Sequence, residues 1–232
     1  MKNVVADVMA ARGVPTTIGE AHDLAGALYP QIMGERRVMW AREGALIGDE
    51  HPDLVVPEIA MYPQTATEKM VRRSAGLTPD SQGVQLELFD PATVEMVRTS
   101  VAPYTTPDEP AVVEAFAQRV ATGAARHIKA ASRDLVVDTA RVNRTRWARR
   151  LQGGENCPFC AMLASRGAVY SEKGVRFQSH AHCDCTAELV RDVGSWDGKE
   201  ESDSLSRLWN RSKSLADFGH KFREMMGYAV PA

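Results

Sequence analysis

The sequence predicts a predominantly helical α+β chain, with a long basic helix leading into a small module stabilised by cysteine and histidine. Three observations predict it. Apolar residues recur at three- and four-residue steps through most of the chain, as they do along a helix face. All four cysteines and two of the six histidines fall between positions 153 and 188. Strand-like patterning is confined to short runs, at 84–89 and in GAVYSEKGVRF, which reads as a hairpin turning near Lys173 and Gly174.

In chain order, residues 1–109 form a helical amino-terminal region. Between 19 and 46, Leu24, Leu28, Ile32, Val38, Met39 and Leu46 keep helical spacing, while Pro30 and Gly34 interrupt it. One broken helix or two short ones fit that pattern. Short helices are expected near 65–74 and 91–100, with the strand at 84–89 between them. Pro103, Pro107 and Pro110 then mark a linker.

Residues 110–152 are expected to be the long helix, or two in line, capped by Thr106 or Asp108 and closed by Gly153 and Gly154. From 111 to 151 it carries nine Lys or Arg against three Asp or Glu, so its polar face is basic. RVNRTRWARRL is the most basic part, and Arg146, Arg149 and Arg150 are its candidate contacts to DNA phosphates or an acidic partner. A solvated helix face is the plainer reading of the same charges. Trp147 fits an interface anchor or a core residue equally well.

Residues 153–190 hold the Cys/His module, whose expected core is Phe159, Leu163, Val169, Tyr170, Val175 and Phe177. Such a module is too small to hold on burial alone, so a metal or a crosslink is expected to supplement it. A polar linker and a helical tail fill 191–232, where Leu205, Leu208, Trp209, Leu215, Phe218, Phe222 and Met226 form an apolar face. That face either folds back or docks on a partner.

The charge balance of −2 excludes a generic nucleic-acid binder. No apolar run is long enough to span a membrane, so no membrane partner is expected. The opening MKNVVADVMAARG lacks the features of a secretory signal, which predicts a chain made in a cytoplasm.

The cysteines fall as Cys157-x2-Cys160 and, after a 22-residue gap, Cys183-x-Cys185, with His180 and His182 just ahead of the second pair. This is metal-ligand or redox spacing, and zinc is the natural ion for thiolate and imidazole donors. If 180–185 is extended, the two histidines point to one face and the two cysteines to the other. The ligand set is then drawn from Cys157, Cys160, Cys183 and Cys185, with a histidine, His180 or His182, able to replace one thiol. Two disulfides joining the early pair to the late pair, or four reduced and packed thiols, fit the same spacing.

The order of a basic helix, RWARRLQGGENCPFCAMLASRGAVY and then FQSHAHCDCTAEL resembles the Mu F-like minor head proteins, the phage head morphogenesis family, and especially the versions carried by phages of actinobacteria. Cys157, Cys160, Leu163, Gly167, His180, Cys183 and Cys185 fall on that family's signature positions, within 140–190. Ala181 stands where the family has proline, and Asp184 where it commonly has a basic residue. The resemblance implies a virion component, built in few copies into the procapsid and lying in the capsid interior near the portal. Its implied partners are the portal protein and the major capsid protein, with packaged DNA as a further contact.

Relatives of that kind are often described as capsid maturation proteases, so catalytic constellations need weighing. Cys157, Cys160, Cys183 or Cys185 could serve as nucleophile, His180 or His182 as base, and Asp184 or Asn156 as orienter. Four clustered cysteines suit a metal or crosslinked site better than one activated nucleophile. Ser165 and Ser179 lie in no G-x-S-x-G elbow, H-E-x-x-H is absent, and no H-x-E precedes the first cysteine pair. No residue is therefore assigned a catalytic role, and a structural function in a phage head is expected.

Overall fold

The computed structural model describes residues 7–8, 12–59, 63–77, 110–154, 156–170, 177 and 184–228. Among these it contains six helices and one two-stranded antiparallel sheet, a predominantly helical α+β chain as the sequence predicts. The helices are α1 (Ile18–Glu50), α2 (Gln64–Ser74), α3 (Pro110–Val142), α4 (Pro158–Ala164), α5 (Lys199–Asn210) and α6 (Leu215–Met226), and the strands are β1 (Arg146–Arg150) and β2 (Thr186–Val190). The strand expected at 84–89, the helix at 91–100, most of the proline linker and the hairpin turn near 173 lie outside the described residues. No helix among the described residues is long and apolar enough to cross a membrane. The chain divides into two compact units, Met1–Arg36 with Ala60–Ile128, and Arg37–Ile59 with Lys129–Ala232.

In the first unit, α1 begins with a reciprocal cap. Thr17 Oγ1 accepts the Glu20 N–H at 3.2 Å, while Glu20 Oε2 accepts the N–H groups of Thr16 and Thr17. Two of the amides that a helix start leaves unpaired are thereby satisfied. α1 does not stop at Pro30, as the sequence suggested it would, but runs unbroken for 33 residues. Burial of Leu24, Leu28 and Ile32 on one stripe outweighs the hydrogen bond that proline removes. Met70 and Val71 of α2 and Phe116, Val120 and Ala124 of α3 complete that core. Gly123 permits the close approach of α2: a Cβ there would lie 2.7 Å from Met70 Cγ.

In the second unit, α3 ends earlier than its basic pattern predicts. The run to Leu151 is not one helix: it is helical to Val142 and then becomes strand β1. The turn is made by Arg144 in the left-handed region, φ 55°, with Thr145 N–H bonded to Ala140 C=O at 2.9 Å. Asn143 fastens the end, exchanging hydrogen bonds with both backbone groups of Val55. Helices usually place glycine at such a position, and arginine there costs about 1 kcal/mol. Arg144→Gly is therefore expected to raise stability by about 1 kcal/mol, read as a higher thermal midpoint with an unchanged far-ultraviolet spectrum. A lower midpoint would show that the Arg144 side chain stabilises the turn more than its backbone strains it.

β1 pairs with β2 in antiparallel register, Trp147 opposite Leu189 and Arg149 opposite Ala187. One sheet face packs Trp147 and Ala187 against Trp40, Ile47, Ala131 and Leu135; the other packs Ala148 and Val190 against Ala168 and Trp196. Covered on both sides, β1 is buried at three successive positions rather than at alternate ones. Trp147 is thus core, stacked on Tyr170 with ring centroids 4.4 Å apart. The tail folds back: Leu205, Leu208, Phe218 and Phe222 of α5 and α6 pack on Cys160, Ala161 and Ala164 of α4. Phe159 and Val169, expected in this core, are instead 47% and 58% exposed, because α4 and the turn after it present their other residues inward.

Candidate functional site

The cysteine module is assembled at the start of α4. Pro158 occupies the first helical turn, where its missing N–H costs nothing, and Cys157 adopts the extended conformation of an N-cap. Its Sγ accepts the Cys160 N–H at 3.2 Å, doing for this helix what a serine hydroxyl usually does. Cys160 is carried inward to 3% exposure, and Cys185, at the entry to β2, is wholly buried. Their sulfurs lie 3.6 Å apart. Gly153 sits at φ 87° in the loop between β1 and α4, where a Cβ would come within 2.9 Å of Asp184. Glycine is required there by conformation and by space.

Two arginines meet these cysteines from inside the fold, one at sulfur and one at a backbone carbonyl. Arg149, 3% exposed, donates from Nη1 to Cys185 Sγ at 2.8 Å and reaches Cys160 Sγ at 3.8 Å. Its guanidinium lies over the Phe177 ring at 3.8 Å. Arg133 of α3, 2% exposed, donates from Nε to the Cys185 carbonyl at 2.9 Å and lies 5.1 Å from the same ring. A guanidinium that both donates to sulfur and covers an aromatic face uses its fork and its plane together, which an ammonium could not do.

The predicted contact arginines therefore separate. Arg149 is turned into the core rather than toward phosphate, because in a strand it shares the inward face of Trp147. Arg150 pairs with Glu188 at 3.1 Å and approaches Glu201 at 3.9 Å. Arg146 is exposed, its Nη1 3.5 Å from the Ala168 carbonyl. Of the other candidates, Asp184 forms an ion pair with Lys129, and Ser165 Oγ donates to the Met162 carbonyl at 2.7 Å. His180, His182 and Cys183 lie outside the described residues. Sequence reasoning missed Arg133 and Phe177 as companions of the thiols; Phe177 carried only an apolar signal, and Arg133 was one more charge on a basic helix.

Zinc can be tested against this donor set. Two thiolates sharing a tetrahedral zinc, with Zn–S bonds of about 2.3 Å, stand roughly 3.8 Å apart, whereas a disulfide needs about 2.05 Å. The 3.6 Å separation of Cys160 and Cys185 suits the former. A hydrogen bond from Arg149 to one of the sulfurs is the kind of support that orients a ligating thiolate. Among the described residues no group of three or more potential ligands converges. The pair thus fits two corners of a site, and the sequence supplies further soft donors two to five residues before Cys185.

A model of the VG15 protein family matches residues 59–212. The "Gene 15 protein" of Mycobacterium phage L5 is 25% identical over 173 residues, covering 56% of this chain and 55% of that protein. The chain thus spans about half the length of that relative. No solved structure matches.

Proposed function

This chain belongs to the VG15 protein family, and from that premise we propose that it is a minor head protein of a tailed phage. In this reading it is a low-copy structural component, associated with the portal and the capsid interior while the procapsid assembles. The observation that carries the reading is the construction of the cysteine module. Cys160 and Cys185 are buried under α5 and α6 and engaged by Arg149, a scaffold joining strand to helix rather than a nucleophile open to a peptide substrate. The burial of Arg149 also removes it from any phosphate-binding surface that Arg146 and Arg150 could form.

The test is made on particles of the phage or prophage that encodes the chain. The protein is expected in purified heads at a small fraction of the major capsid protein, and a premature stop is expected to abolish normal heads. The intact mass of the major capsid protein should be identical in procapsids carrying wild-type protein and folded Cys183→Ala. A capsid-protein truncation present only with wild type would make the chain a maturation protease instead.

Zinc is the cofactor that we assign to the module, with Cys160 and Cys185 among its ligands. It would contribute folding energy by joining α4 to the start of β2. Purified protein should carry about one zinc per chain, as for a structural four-ligand site, and Cys160→Ser should lose it together with resistance to thermal unfolding. A metal-free protein whose non-reduced mass is lower by two hydrogens per bridge would replace the ion by disulfides.

A further inference from the structure

We propose that the outer edge of β2 and the cleft beside it form a docking groove for an extended, lysine- or arginine-bearing segment of a partner protein. The inference concerns the second unit alone and does not depend on the head-protein reading.

The edge follows from the ladder. Trp147 donates its N–H to the Tyr170 carbonyl at 3.1 Å, on the side of β1 away from β2. Trp147 and Leu189 are therefore a pair without mutual hydrogen bonds, and by alternation Arg149 and Ala187 are another. Ala187 and Leu189 consequently turn both N–H and C=O away from β1. Tyr170 bridges the far side of β1, so β2 is outermost at the other edge, and among the described residues the sheet has no third strand there. An edge of this kind is a template for one more strand.

The cleft supplies the room and the charge. It holds about 650 Å³ and is walled by residues 186–189 of β2, by the last turns of α1, by Ser132 and Val136 of α3 and by residues of the loop at 191–197. Glu43, Glu50, Glu188, Asp192 and Asp197 line it against two arginines, Arg150 and Arg191. Both arginines are already claimed: Arg150 by Glu188, and Arg191 by a two-pronged pair with Asp53 at 2.8 and 2.9 Å. The balance left to an occupant is negative. Glu43 shows the strain, its carboxyl pushed up by burial and by neighbouring Glu50, with Arg42 only partly opposing. Trp196, packed against Ala148 and Val190, also stands on the wall. Charges that merely guard an edge sit on the strand itself; here Glu43 and Glu50 belong to a helix standing across a gap.

The experiment uses the full chain and a capped octapeptide alternating lysine and valine, with the glutamate–valine counterpart as control. Calorimetry should show binding of the lysine peptide only, weakened by salt and by about tenfold in the Glu43→Gln/Glu50→Gln variant. Amide exchange at Ala187 and Leu189 in the wild type should slow when that peptide is added. Absence of binding, equal binding of the acidic peptide, or binding without protection of those two amides would overturn the proposal. So would self-association of the chain through the same edge, which sedimentation would reveal.

Discussion

Arg149→Ala is expected to destabilise the second unit by about 3 kcal/mol, enough to loosen the cysteine module at ordinary temperatures. The side chain donates to Cys185 Sγ and covers Phe177, so truncation leaves a buried sulfur without that donor and a cavity beneath an aromatic ring. Arg149→Met, which fills much of the volume without an N–H, should recover about half of the loss. Arg149→Lys should do little better, because an ammonium cannot cover the ring and reach the sulfur in one plane. Urea unfolding followed by tryptophan fluorescence reads the effect, since Trp147 is buried on the same sheet face. An Arg149→Ala protein as stable as wild type would remove this residue from the core and restore the phosphate-contact reading of RWARR.

Acidification is expected to destabilise the first unit through His127, whose pKa is lowered to about 4 by burial, with Arg126 and Arg36 adding repulsion. In the unfolded chain the ring titrates near 6.5. Between those values the folded state binds fewer protons than the unfolded one. The stability is therefore intact above pH 6.5 and is lost as pH falls toward 4. At pH 5 the loss comes to about 2 kcal/mol. Glu43 and Glu201, whose carboxyls burial pushes up, titrate with the opposite sign, so the comparison must be made with a variant. His127→Leu should flatten the pH dependence between 7.5 and 5 relative to wild type. Parallel urea midpoints for the two proteins across that range would rule His127 out as the source.

How far the candidate site could be read in advance depended on the kind of signal. Cysteine spacing marked Cys157, Cys160 and Cys185 as members of one module, and the structure brings them together. The helix that begins at Pro158 was not foreseen. The roles of the arginines did not follow. Their count on a presumed helix suggested an outward basic face, whereas a strand in the same place sends Arg149 inward with Trp147. Nothing local announced the break, since the residue that makes the turn is Arg144, where glycine would have been the usual sign. Pro30 misled in the other direction: it is a strong local breaker, overridden by the apolar stripe that α1 buries around it.

Composition, periodicity and cysteine placement by themselves determined the helical α+β class, the position of α2, the amphipathic tail and the clustering of soft donors. These are properties that a chain carries locally, one or two turns at a time. Tertiary structure alone decided that the tail folds back on α4 and that Arg149 and Arg133 meet Cys185. It also placed Glu43 of α1 and Glu188 of β2 on the walls of one cleft. Each of those outcomes joins residues tens of positions apart, and such contacts are set by which buried faces can be satisfied together rather than by what any segment prefers alone.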